Sequence, residues 1–348
     1  MFKRLSLPLV LWLCAALVLA ACAAPTPTAP AATQAPEATS APAATAAGAA
    51  LKLAAIFPGP ITDADYNTLG YNGLEAMKAA HGVEYAYSEN VAVPDVDRVM
   101  REYLADGYNI VFTHGSQFIN QTQTLAAEFP DAYFIAETDG QMEGMPPNLW
   151  IIDRNFHVGF YAIGALAARA TETGKIGYIG GLELPFAWSE LHAMQQAIAD
   201  SGLDVELRHV FTGNFNDPVK ARELAEAMMA EDVDVIVGSL NLGMVGIFEA
   251  VKGRPVMVTA KYTDKSSFAP DNYITSLLYD FDKPMVDVVG RILAGEGGGY
   301  YPLGFDTGVQ LQTPLQHVPD DVAAEVEQIA ADLVGGTIQV ERNVDPIE

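Results

Sequence analysis

Residues 174–181 read GKIGYIGG, and the strand predicted by this stretch, Lys175 to Gly180, precedes a helical pattern from Trp188 to Ser201. A second apolar run, Val205 to Val210, leads to a helix from Pro218 to Ala230. A third, VDVIVGS at 233–239, gives a strand from Val233 to Gly238. Short runs that are apolar nearly throughout, alternating with longer segments of helical period, are what strands covered on both faces require. The same alternation fills the chain upstream: strands Leu51–Phe57, Val83–Tyr87, Asn109–Thr113 and Ala132–Ala136, and helices Asn67–Ala80, Pro94–Ala105, Gln117–Phe129 and Phe156–Thr171. The fold class is α/β with parallel sheets, whose ligands belong beyond the carboxyl ends of the strands.

Those strand ends carry unusual loops. Phe57 leads into PGPITDADYN (58–67), Thr113 into HGSQF (114–118), Gly180 into GLELPFAW (181–188), Val210 into FTGNFNDP (211–218) and Gly238 into SLNLG (239–243). One loop of aromatics, amides and hydroxyls is ordinary turn chemistry. Five at one sheet edge predict a cleft that stacks a flat ligand and hydrogen-bonds its rim.

The chain of 348 residues has 19 Lys plus Arg against 44 Asp plus Glu, a net charge of −25. Nucleic-acid binding draws its affinity from cations on phosphates, so the acidity argues against a nucleic-acid partner. Lys3-Arg4 precede an apolar run from Leu7 to Ala21, short for a membrane span and of the length of a signal-peptide core. The run ends Leu19-Ala20-Ala21-Cys22, which resembles a bacterial lipobox, so residues 1–21 read as a lipoprotein signal and Cys22 as the lipidated N-terminus. Cys14 leaves with the signal, which removes disulfide and thiolate chemistry from the mature fold. Residues 23–50 hold 14 Ala, five Pro and five Thr, a tether spanning roughly 30 Å if flexible. Two acyl chains would make the attachment stable.

Five strings occur in order: Asp63-x-x-Tyr66-Asn67-x-x-Gly70-Tyr71-x-Gly73-Leu74, GKIGYIGG (174–181), FTGNFNDPVKARELA (211–225), VDVIVGS (233–239), and Thr263-Asp264 through FAPDNYITS (268–276). With the lipobox they resemble the basic membrane protein family of lipoproteins, purine-receptor substrate-binding proteins of ABC transporters. The resemblance spans 51–315. It implies a type I periplasmic-binding-protein fold: two doubly wound parallel-sheet lobes joined by three hinge crossovers, expected near 152–155, 259–262 and 297–300. The expected lobes are 51–153 with 262–298 and 154–261 with 299–348, after the signal at 1–21 and the lipidated tether at 22–50.

The resemblance also implies a monomeric extracytoplasmic receptor that needs no cofactor, binds a purine nucleobase or nucleoside, and delivers it to an ABC permease. Two aromatics sandwich the base in that family, and the matching positions are Tyr66 and Phe215. A purine edge mixes acceptors and donors, which calls for amides beside carboxylates; Asn67, Gln117, Asn241, Asp63 and Asp264 are the candidates. His114 and Ser116, on the loop of Gln117, and Trp188, at the cleft mouth, complete the set. Nucleoside-binding members carry a lysine near the ribose, shortly after the Thr-Ser strand. Here Leu277-Leu278-Tyr279-Asp280 stands there, which favours a free base or a nucleoside held differently.

Local readings compete. Asp63 and Asp65 both suit the cap of the helix near Asn67, Asp65 more than Asp63, and Asp217 before Pro218 suits an N-cap with proline at the first helical position. Phe211 reads as core, and a histidine without a sequence partner, His114, as structural before catalytic. The rival classes are a receptor for a sugar-like solute, a ligand-sensing lipoprotein, and a secreted hydrolase built on Ser116, His114 and an acid. The chain lacks the Gly-x-Ser-x-Gly elbow, His/Glu metal spacing and a phosphate-binding Gly-Lys-Ser/Thr loop.

Overall fold

The computed structural model describes residues 50–305 and 307–347. The signal, Cys22 and nearly all of the tether lie outside the described residues. From Lys52 the chain alternates β1 (Lys52–Ile56), α1 (Tyr66–His81), β2 (Glu84–Ser88), α2 (Val96–Ala105), β3 (Ile110–Thr113), α3 (Ile119–Glu128), β4 (Tyr133–Thr138) and β5 (Leu149–Asp153). The second series is α4 (Phe156–Ala170), β6 (Lys175–Gly180), α5 (Pro185–Ser201), β7 (Glu206–Phe211), α6 (Pro218–Ala230), β8 (Val235–Ser239), α7 (Met244–Val251), β9 (Met257–Tyr262) and β10 (Tyr273–Tyr279). It ends with α8 (Asp282–Leu293), β11 (Gly299–Pro302), β12 (Val309–Leu311) and α9 (Asp320–Val334).

Two six-stranded sheets result, ordered β11-β5-β4-β3-β1-β2 and β12-β10-β9-β8-β6-β7. All pairings are parallel except that of β12 with β10. Strands β3, β5 and β8 are buried at every residue, because helices cover both faces of each sheet. In each sheet the strand order reverses beside the first strand, between β1 and β3 and between β6 and β8. These are the switch points where doubly wound sheets bind ligands. Local capping is legible: Asp217 accepts from the Lys220 N–H at 3.0 Å with Pro218 at the head of α6, and α1 stops at Gly82 in the left-handed region, φ 69°.

The chain passes between lobes after β5, through Asn155 in the left-handed conformation, φ 47°. The other two crossovers lie later than the sequence reading placed them. Strand β10, expected in lobe 1, pairs with β9 in the second sheet, Ser276 beside Ala260, so the chain leaves lobe 2 only after Tyr279. Helix α8 then packs on α1, with Met285 over Gly73, and β11 pairs with β5, Tyr300 beside Ile151, so the last crossover follows Pro302 rather than residue 300. The physical reason is that an apolar run announces a strand without naming the sheet that receives it. The tail after α9 crosses behind the hinge, where Arg342 Nη1 donates to Asp153 at 2.9 Å and Asn155 Nδ2 donates to the Leu303 carbonyl at 2.6 Å, tying the first and third crossovers together. Among the described residues no helix is long and apolar enough to cross a membrane.

Candidate functional site

A cavity of about 230 Å³ lies between the lobes, at both switch points. Lobe 1 contributes Pro58 after β1, Val91–Val93 after β2 and Gln117 after β3. Lobe 2 contributes Leu182 after β6, Gly213–Asn216 after β7, Asn241 after β8 and Phe186 at the start of α5. Tyr66, Arg154 and Tyr262 close the floor from the head of α1, the first crossover and the end of β9. Phe215 is seated by a glycine: a Cβ on Gly181 would run into its ring, so only glycine lets the ring lie flat on the chain there. Phe186 lies beside it, nearly parallel, with centroids 6.0 Å apart.

Of the ten candidates, Tyr66, Gln117, Phe215 and Asn241 line this cavity. Asp63 stands behind it as the organiser of the β1–α1 loop. Its carboxylate accepts from the backbone N–H groups of Asp65, Asn67 and Thr68 and from the Asn67 amide, the last at 2.7 Å. Asn67 is therefore buried against Asp63 rather than turned to the cavity. His114 is fully buried: Nδ1 meets Glu137 at 2.6 Å and Nε2 the Tyr66 carbonyl at 2.8 Å. Both ring nitrogens are engaged away from Ser116, whose buried hydroxyl has no partner, so the Ser116–His114 dyad of the hydrolase reading is not assembled. Trp188 packs on Phe211 and His209 in the body of lobe 2, because α5 turns that face to the edge strand β7. Asp264 is exposed and accepts from the Ser266 N–H at 2.8 Å, which holds its carboxyl below the usual range. The carboxylates expected at the cavity wall are thus spent on local turns, as Asp side chains readily are. The charged side chain that does line the cavity is a cation, Arg154.

A polar layer underlies the floor. The Tyr66 hydroxyl donates to Glu137 and accepts from Arg154 Nη1 at 3.2 Å; His114 stacks on its ring at 3.8 Å and Tyr262 leans on it at 5.1 Å. At 4% exposure the Tyr66 ring is sheltered mainly by protein neighbours. Burial and the Glu137 carboxylate push its phenol well above the ordinary range, so it stays a neutral donor. Arg154, 2% exposed, has Phe156 and Phe186 rings 4.5 and 4.9 Å from its guanidinium carbon. Such cation–π contacts are worth about 0.5–2 kcal/mol. Deeper in lobe 2, Lys261 donates to Glu190 at 3.0 Å, and the Tyr178 hydroxyl donates to the other Glu190 oxygen at 2.6 Å. Burial pulls the Lys261 ammonium down while Glu190 holds it up.

Besides the Tyr66–Tyr262 contact, hydrogen bonds join the lobes among the described residues. Lys265, in the loop after β9, donates to Asp65 at the head of α1 at 2.8 Å; Thr263 donates to the Ala64 carbonyl at 3.1 Å; and Ser189 of α5 donates to Asp139, after β4, at 2.6 Å. The lobes are therefore closed on one another. Asp65 occupies the cap position of α1 but makes no cap bond, which reverses the expected division of labour with Asp63. Burial pushes its carboxyl up to about 7 against the pull of Lys265, and burial likewise raises Asp139. The sequence reading missed Asp65–Lys265, Arg154, Lys261–Glu190 and Glu137. A charge isolated within an apolar element, as in MVTAKY or YFIAET, is the signal that marks a buried pair.

The comparisons with known proteins agree with this architecture. A family model described as "ABC transporter substrate-binding protein PnrA-like", Bmp, matches residues 50–343. Basic membrane protein A2 of Borrelia garinii subsp. bavariensis is 24% identical over 312 residues, covering 85% of this chain and 90% of that protein. A purine-binding protein of Brucella abortus is 23% identical over 292 residues, covering 83% and 82%. Among solved structures, a solute-binding protein of an ABC transporter system from Aeropyrum pernix K1 superposes with a TM-score of 0.75 at 19% identity, covering 85% of this chain and 94% of that one. At that identity the likeness carries the fold, a type I periplasmic-binding-protein architecture, and nothing about the ligand.

Proposed function

This chain belongs to the Bmp family of ABC-transporter substrate-binding proteins, and from that premise we propose that it is a lipid-anchored extracytoplasmic receptor for a purine nucleobase or nucleoside, which it delivers to a membrane permease. The observation that carries the reading is the interlobe cavity, where Phe215 stands among the amides of Gln117, Asn214, Asn216 and Asn241. Aromatic stacking supplies about 1–3 kcal/mol per base, and amides match a rim of mixed donors and acceptors. A relative named as a purine-binding protein supports the ligand class. The volume, about 230 Å³, falls below the roughly 300–1,000 Å³ of drug-sized pockets and suits a small ligand. The absence of a lysine in 277–280 favours the free base over its nucleoside.

Delivery works by closure. Ligand touches both lobes only when they are shut, so binding shifts the population toward the closed form by that differential affinity. Cys22 is the proposed anchor and residues 23–50 the tether that lets the lobes reach the permease. The test uses the full-length chain in detergent, unfolded and refolded to strip any carried ligand, then titrated by calorimetry with adenine, hypoxanthine, their nucleosides and ribose. Binding of a base or nucleoside is expected, with Phe215→Ala weakening it about tenfold or more. Silence toward all purines, or binding of ribose alone, refutes the reading in favour of another solute.

A further inference from the structure

Arg154 sits where the chain first crosses between lobes, at the cavity floor. Its Nη1 donates to the Tyr66 hydroxyl and lies 3.8 Å from Glu137 Oε2. Its Nε and Nη2 are buried and have no acceptor. A guanidinium carries donors only, and a buried donor left unmet is unfavourable. The rings of Phe156 and Phe186 beside it stabilise the charge without supplying a lone pair. The acceptor for that edge has to come from outside the protein's own side chains, and because Arg154 lines the cavity, a ligand that settles on the cavity floor, or a water held beneath it, is the source.

The edge left free is the informative one. Nε–H and one Nη2–H are the parallel pair with which arginine grips two acceptors side by side. The amides along the cavity can each turn a donor or an acceptor toward a ligand, and the neutral Tyr262 hydroxyl can do both; Arg154 cannot. No carboxylate among the described residues lines the cavity to compete for it.

Resting on the purine reading above, we infer that Arg154 selects 6-oxopurines, free or as nucleosides, over 6-aminopurines. The O6/N7 edge of an oxopurine presents two adjacent acceptors, the commonest partner of an arginine fork. The N6/N7 edge of adenine replaces one acceptor by an amino group and would press donor against donor.

The experiment titrates the refolded full-length chain in detergent with hypoxanthine, inosine, adenine and adenosine. The oxo member of each binding pair should bind about tenfold or more tighter than its amino counterpart. Arg154→Gln, whose amide can both donate and accept, should close most of that gap by weakening the oxo ligands well beyond the amino ones. Adenine binding as tightly as hypoxanthine overturns the selection but leaves the purine reading intact; failure of all four overturns both. A gap unchanged in Arg154→Gln removes Arg154 as its source. The ranking by the unaltered protein holds independently should the variant fail to fold.

Discussion

Replacing Lys265 by Met tests whether the lobes are held by charge. The Nζ donates to Asp65, to the Lys261 carbonyl at 2.8 Å and to Thr263 at 3.0 Å, and of these only the Asp65 bond joins the two lobes. Without Lys265 the Asp65 carboxylate, 1% exposed, loses its cation, and breaking a buried pair from one side costs about 3–5 kcal/mol. Protonation is the escape. Neutralising a carboxyl of normal pKa near 3.9 costs about 1.4 kcal/mol for each pH unit above that value, so about 4 kcal/mol at pH 7 and about 1.5 at pH 5. Opening is the other escape, because it hydrates Asp65 without unfolding either lobe. Small-angle scattering of the ligand-free chain should therefore show Lys265→Met expanded relative to the parent at pH 7 and contracted again at pH 5. The sign follows from the closed-state carboxyl lying above its free value: closure takes up a proton, so acid favours it. Lys265→Met with Asp65→Asn should remain compact at both pH values. An expansion independent of pH, or a double variant as open as the single one, would refute the reasoning.

Gly181→Ala forces a Cβ into the Phe215 ring; overpacking of this kind costs about 1–3 kcal/mol, and calorimetry should show weaker purine binding with both lobes still folded by circular dichroism. Asp217→Ala removes the bond to the Lys220 N–H, worth about 1 kcal/mol at a helix cap, and a thermal melt should fall by about 2 °C for a chain of this size.

The parts of this molecule legible in the sequence are those decided locally. Strand β6 spans Lys175–Gly180 and α6 spans Pro218–Ala230, the bounds read from apolar period, a proline and an aspartate, all within one turn of the chain. The switch-point loops were legible for the same reason, and four of the candidates drawn from them line the cavity. What escaped depends on partners far along the chain. Asp65 reads as a cap because every residue near it permits capping; its partner Lys265 is 200 positions away. Strand β10 has the same apolar face whichever sheet receives it, so its place beside β9 could not be read from its own residues. Asp63 and Asp264 look like a ligand's carboxylates until their own backbone N–H groups claim them. Arg154, in the Asp-Arg-Asn between an all-buried strand and an apolar helix, was visible as a charge where the chain changes lobes, but only its unmet donors give it a role.

The kind of contact placed at the lobe boundary matters as much as its presence. A receptor that stays shut cannot release its cargo, and one rarely shut binds weakly, since the apparent affinity scales with the fraction of closed molecules. An ion pair meets both demands. Its attraction in the closed state is largely offset by the desolvation of both charges, as the raised carboxyl of Asp65 records, so the pair adds little net free energy to closure. It nevertheless admits one geometry, because any other register leaves Asp65 or Lys265 buried and unmet. Apolar side chains at 65 and 265 would gain burial without that offset and tolerate sliding. The charged pair fixes where the lobes meet and leaves the ligand, through Phe215 and the amides of the cavity, to determine how often they do.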